Sequence, residues 1–154
     1  MRYEECDESL VETFIKVIED RFPHYAHLKI KLIYDVKKRI KDGNVVLASI
    51  ERAGEKIRFF SKDNIALEGY DYVLTVNQKA WELCGEKDRA RIISHELRHI
   101  LIDEKDNLKI RGHEINDFYL EVKINEDDPE WSRRLGTLVV DAYEQEKEMQ
   151  EEKK

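Results

Sequence analysis

The sequence predicts an α+β domain in which a small, mostly antiparallel sheet packs on helices. Three observations carry this reading. Apolar residues recur at helical spacing over residues 10–22 and again beyond residue 86, and they alternate at strand spacing in the block between. Turn signals punctuate that central block. The chain has 154 residues, 41% of them hydrophobic. A chain of that length can bury roughly 70% of its unfolded surface, so a single domain over residues 1–154 is expected without staples.

The first helix opens at Ser9-Leu10-Val11-Glu12, a capping box whose hydroxyl and carboxylate each satisfy an orphan N–H. Leu10, Val11, Phe14, Ile15, Ile18 and Phe22 form its stripe, and Pro23 ends it near Arg21. His24 and His27 fall in the loop beyond. Leu28, Lys29, Ile30, Lys31 and Leu32 alternate as a strand with one wet face does. Asp42-Gly43-Asn44 marks a turn. Residues 45–51 and 56–60 read as the two strands of a hairpin around Ala53-Gly54-Glu55. Residues 71–77 are β-branched and aromatic, hence a fourth strand, and residues 78–83 make a short helical turn before Gly85.

From Glu86 a longer helix carries Ile93, Leu97, Ile100 and Leu101 at i, i+4, i+7 and i+8. Residues 103–111 form a polar loop. His113 opens a further helix with Phe118, Val122 and Ile124 turned inward. Asp128-Pro129 opens the last one, with Asp as N-cap and Pro at the first helical position. Trp131, Leu135, Leu138, Val139, Ala142 and Tyr143 give its stripe. Residues 144–154 are charged or polar apart from Met149, a solvated helix end or tail.

The helix from Glu86 contains His95-Glu96-Leu97-Arg98-His99. Positions i and i+4 lie on one helix face about 6 Å apart, so His95 and His99 can converge on one metal ion. Glu96 is rotated roughly 100° from His95 about the axis and can reach a water on that ion without ligating it. Both histidines sit off the apolar stripe, so this helix can bury its back and turn two imidazoles toward a cleft. Fourteen positions beyond His99, His113 offers a third imidazole. Glu114 and Glu121 are alternative third ligands, and Cys84 another. Three imidazoles would hold one Zn2+ per chain and leave a coordination position for water. Asp117, one helical turn past His113, can accept its second N–H. Tyr72, Arg98, Arg111 and Tyr119 are candidates for steadying an oxyanion. The longer spacing H-E-x-x-H-x-x-G-x-x-H does not apply, because Ile102 and Lys105 stand at its last two marked positions.

Composition narrows the function classes. Charged residues make up 40% of the chain and the net charge is −7, which disfavours general nucleic-acid binding. Lys29, Lys31, Lys37, Lys38, Arg39 and Lys41 concentrate the positive charge on the outward side of one strand and its turn. Cys6 and Cys84 form no C-x-x-C pair and read as free thiols in a reducing, cytoplasmic setting. Residues 1–7 lack the apolar core of a signal peptide, and no apolar run approaches the roughly 18 residues of a membrane span.

Two segments carry a family resemblance: His95-Glu96-Leu97-Arg98-His99-Ile100, and Lys109-Ile110-Arg111-Gly112-His113-Glu114-Ile115-Asn116-Asp117-Phe118. Together they resemble the motifs of the phage-type metallopeptidase domain, a group related in pattern to the SprT-like zinc metalloproteases, which are HExxH zincins. The resemblance is good over residues 70–118 and rests on element order elsewhere. The family's second motif often has Asp after the histidine, where this chain has Glu114. The resemblance implies a minimal zincin and a zinc metallopeptidase, with His95, His99 and His113 on the metal and Glu96 as general base. It also implies that the strand before the metal helix borders the cleft, so a peptide or protein substrate would add to Tyr72–Asn77 as an edge strand. The chain is acidic and has no cysteine set for a zinc ribbon, which counts against a DNA-directed role. A second reading is a catalytically silent metal-binding module that docks a protein partner; a third, a metal hydrolase of nucleic acid such as a three-histidine endoribonuclease, calls for a closer third histidine and runs against the acidity of the chain.

Overall fold

The structure is a computed structural model that describes residues 1–112 and 119–153. The elements run β1 (Tyr3–Glu5), α1 (Glu8–Arg21), β2 (Ile30–Asp35), β3 (Ile40–Lys41), β4 (Asn44–Val45), β5 (Ala48–Arg52), α2 (Glu55–Phe60), β6 (Tyr72–Asn77), α3 (Gln78–Leu83), α4 (Glu86–Leu97), β7 (Ile100–Ile102), β8 (Leu108–Ile110), α5 (Tyr119–Ile124) and α6 (Trp131–Glu152). A short 3-10 turn, Pro23–Tyr25, follows α1. This is the expected α+β class.

The main sheet has the order β1-β2-β6-β5. The β1–β2 and β6–β5 pairings are antiparallel, and β2–β6 is parallel. One face is covered by α1 and α4. Leu10 and Ile18 of α1, Phe22 at its C-cap, and Ile93 and Leu97 of α4 pack on Leu32, Tyr34, Leu74 and Val76 of the sheet. A second, smaller cluster joins Cys84 and Ile92 to Trp131 and Leu135 of α6. No helix among the described residues is long and apolar enough to cross a membrane.

Several local expectations are corrected. Asp7, not Ser9, caps α1: its carboxylate accepts from the Leu10 N–H at 3.2 Å. The Ser9 hydroxyl donates to Asp7 Oδ1 and accepts from Trp81 Nε1. Val11 and Ile15 are exposed, and Val17 is buried in their place. Asp42 and Gly43 both have positive φ, 53° and 81°, the two-residue turn that suits a tight hairpin between β3 and β4. Residues 56–60 form α2 rather than a strand. Their alternation has no face to bury, because Ile57 and Phe59 are both exposed, and β5 pairs with β6 instead.

The expectation that Tyr72–Asn77 is an edge strand is also overturned. β6 is paired on both sides, by β2 and by β5, and nearly every residue in it is buried. Among the described residues β5 ends the sheet. Residues 103–111 are no simple loop, since Leu108–Ile110 pairs antiparallel with Ile100–Ile102. On α5 it is Glu121 that is buried, while Val122 and Ile124 are exposed. His113, Glu114, Asp117 and Phe118 lie outside the described residues.

The start of α4 is tied to α6 by charge. Arg91, only 4% exposed, donates at 2.7 Å to both Asp88 and Asp127. Arg134 donates at 2.8 Å to Asp88 and to Asp128. The Asp128 carboxylate is therefore committed to an arginine rather than to a helix cap, and α6 starts at Trp131. Burial pushes the Asp88 carboxyl up, but hydrogen bonds from Arg134 and Arg91 outweigh it and hold the group below the usual carboxylate range. A lowered folded-state value stabilises the fold fully above the unfolded value of 3.8, and this contribution is lost as the pH falls through the folded-state value. Asp88→Asn should therefore cost about 1.5–3 kcal/mol at pH 7, the range for a hydrogen bond to a charged group. In thermal melts the gap to wild type should close in strong acid. A gap unchanged between neutral and acid pH would count against this network.

Candidate metal centre

α4 ends inside the pentapeptide. Its last helical residue is Leu97, and Arg98 is the C-cap. The His99 N–H reaches back only to Glu96 O, at 3.1 Å, a tightened last turn. Ile100-Leu101-Ile102 then leaves as β7, because Ile100 and Ile102 are better placed opposite Ile110 and Leu108 than on another helical turn. The stripe expected to continue through Ile100 and Leu101 is thus broken: Ile100 is buried in the core and Leu101 is exposed.

The hairpin of β7 and β8 fixes His99. The Arg111 N–H donates to His99 O at 2.7 Å. His99 Nδ1 lies 2.7 Å from Arg111 O. A carbonyl can only accept, so Nδ1 carries a proton, and in the neutral ring Nε2 is the nitrogen that holds the lone pair. Arg111 Nε donates in turn to Arg98 O at 2.7 Å.

His95, Glu96 and His99 each present a ligand atom, all within 4.8 Å of one another. The two imidazole rings stand 5.5 Å apart, centroid to centroid, and tilt by 71°. Glu96 is buried and both histidines are half-buried. The donor set fits a divalent transition metal: imidazole nitrogens with a carboxylate alongside. The three residues line a cleft of about 520 Å3. Ile92 of α4, Leu47 before β5, Ala48 and Ile50 of β5, and Trp131 of α6 line it with them. The Trp131 ring centroid is 6.3 Å from that of His95.

Of the residues expected in the site, His95, Glu96 and His99 come together. Glu121 does not join them. Its carboxylate is held on the neighbouring flank of α4 by Ser94 and Arg98. Cys84 is buried in the Ile92–Trp131 cluster, where burial pushes its thiol up to about 12, and it is not among the groups that converge with His95, Glu96 and His99. His24 and His27 are exposed and stand apart from the cleft. Of the oxyanion candidates, Tyr72 donates to Lys109 O and Arg98 to Glu121, whereas Arg111 lines the cleft. The cleft walls on β5 and α6 escape sequence reading, because Ala48, Ile50 and Trp131 carry the same apolar signal as any core residue.

A family model described as "Putative phage metallopeptidase" matches residues 1–143. The chain belongs to this phage metallopeptidase family. Searches of curated proteins and of solved structures returned no match. Metallopeptidase membership implies a metal ion, and the His95–Glu96–His99 group could hold one.

The distance between Trp131 and His95 gives a direct probe. Added Co2+ should quench part of the tryptophan fluorescence. Trp131→Phe, which leaves Trp81 as the remaining tryptophan, should lose most of that quenching. Quenching of equal size in the variant would place the ion away from His95.

Proposed function

We propose that this phage metallopeptidase family member is a zinc-dependent peptidase of the HExxH type. His95, His99 and His113 hold one Zn2+ per chain, and Glu96 is the general base. The observation that carries the reading is the convergence of His95, Glu96 and His99 within 4.8 Å, in a chain matched over residues 1–143 by a metallopeptidase family. His113 enters as the third ligand on its sequence position alone.

When bound, zinc supplies Lewis acidity, polarising a scissile carbonyl and lowering the pKa of water. The Glu96 carboxylate takes the proton from the attacking water and passes it to the leaving amine. His99 keeps its Nε2 lone pair directed outward because Arg111 O holds the proton on Nδ1. The substrate is an extended peptide laid along β5, the strand that ends the sheet and lines the cleft. Two free thiols support a reducing, cytoplasmic setting.

Purified protein should carry about one zinc per chain by elemental analysis, the expectation for a single catalytic site. His113→Ala should lose tight zinc. Glu96→Gln should keep the metal and lose hydrolysis of an unfolded protein substrate by at least about 100-fold, the lower range for a general base. Retained activity in Glu96→Gln would remove the proposed base, and zinc-loaded wild type that cleaves no peptide would favour the silent, partner-docking module.

A further inference from the structure

The flank of α4 beside the histidines carries an ion pair that the proposed chemistry does not use. Glu121 of α5 is 0% exposed. Its Oε1 accepts from Ser94 Oγ at 2.6 Å and from Arg98 Nε at 2.8 Å. Ser94 and Arg98 are the residues immediately before His95 and His99, one helical turn apart. The Arg98 guanidinium also lies over the Phe22 ring, 4.6 Å from its centroid. Arg98 is thus held between the end of α1 and the buried face of α5.

Stability alone does not account for this arrangement. Desolvating both charges can cost more than their attraction returns, and an apolar pair of similar volume often does as well. Glu121 Oε2 is moreover buried with no hydrogen-bond partner among the described residues, a further cost. What a buried, hydrogen-bonded ion pair does supply is a single geometry. The hairpin holds His99 from one side only, because regular helical hydrogen bonding stops at Arg98 and His99 sits one residue beyond, so a tie on the helix side fixes the last turn of α4 against it.

We infer that Glu121 is a positioning residue for divalent-metal binding. Through Ser94 and Arg98 it fixes the last turn of α4, and so the relative angle at which His95 and His99 meet the ion. The inference rests on the metal site proposed above and adds to it a residue that touches neither the ion nor the substrate.

The test is zinc affinity of the full chain, read by competition with a chromophoric chelator. Glu121→Gln keeps the shape and removes the charge, and should weaken zinc binding about 10- to 100-fold, the range for residues that orient metal ligands. Val17→Ala is the control: a buried truncation on α1 that lowers thermal stability without touching Arg98. With Co2+ in place of zinc, the visible absorption bands should shift in Glu121→Gln and match wild type in Val17→Ala. If Glu121→Gln does not fold, Ser94→Ala keeps the ion pair and should show a smaller affinity loss with the same direction of band shift. Unaltered affinity and bands in the Glu121 or Ser94 variant, or a loss no larger than that of Val17→Ala, would overturn the positioning role while leaving the metal site standing. Wild-type chain that binds no stoichiometric zinc would overturn the site and this inference together.

Discussion

The site depends on the double contact between His99 and Arg111. Main chain meets main chain through Arg111 N–H and His99 O, and the imidazole Nδ1 meets Arg111 O. The second histidine is therefore held by a hairpin rather than by the helix that carries the first. That hairpin is itself anchored in the core. Tyr72 donates from the centre of the sheet to Lys109 O, and Tyr25 donates to Ile100 O. Burial pushes the Tyr72 phenol up to about 12, so it stays protonated and a donor at neutral pH.

α4 is tethered at both ends by arginines that are mostly out of solvent. At its start Arg91 gathers Asp88 and Asp127, and at its end Arg98 meets Glu121. Between these ends the helix turns Ile93 and Leu97 into the core. A helix of this length gains little from its own hydrogen bonds. Packing of Ile93 and Leu97 sets which face is buried, and the ionic ties hold its two ends. Rotation is what decides whether His95 and Glu96 face the cleft. High charge in this sequence is thus not only a solvated exterior, because part of it is structural and sits inside.

The motif could be read from spacing alone, because His95, Glu96 and His99 are close in sequence and one helical turn brings them together. The helix end could not. Ile100 and Leu101 continue the apolar spacing of α4, and only the pairing with residues eight to ten positions on pulls them into a strand. The same kind of ambiguity turned 56–60 into an expected strand: Lys56-Ile57-Arg58-Phe59 alternates, but no buried face rewards the alternation. Neighbouring strands are what sequence cannot show. Tyr72–Asn77 reads as a strand, yet whether it lies inside the sheet or at its edge depends on partners far along the chain. Glu121 was legible only as a possible ligand, since nothing in its own segment announces Ser94 and Arg98.

The parallel pairing of β2 with β6 has a consequence for how the molecule is made. Its register runs from Ile30 opposite Tyr72 to Asp35 opposite Asn77, so the central pair cannot close until the ribosome has released the chain well past residue 77. α1 and β2 wait meanwhile with apolar faces uncovered. α4, which carries the candidate metal group, follows α3, and Trp131, which lines the cleft, comes later still. A chain emerging N-terminus first thus presents its sheet strands, and then its histidines, before the last residues that line the cleft have been made.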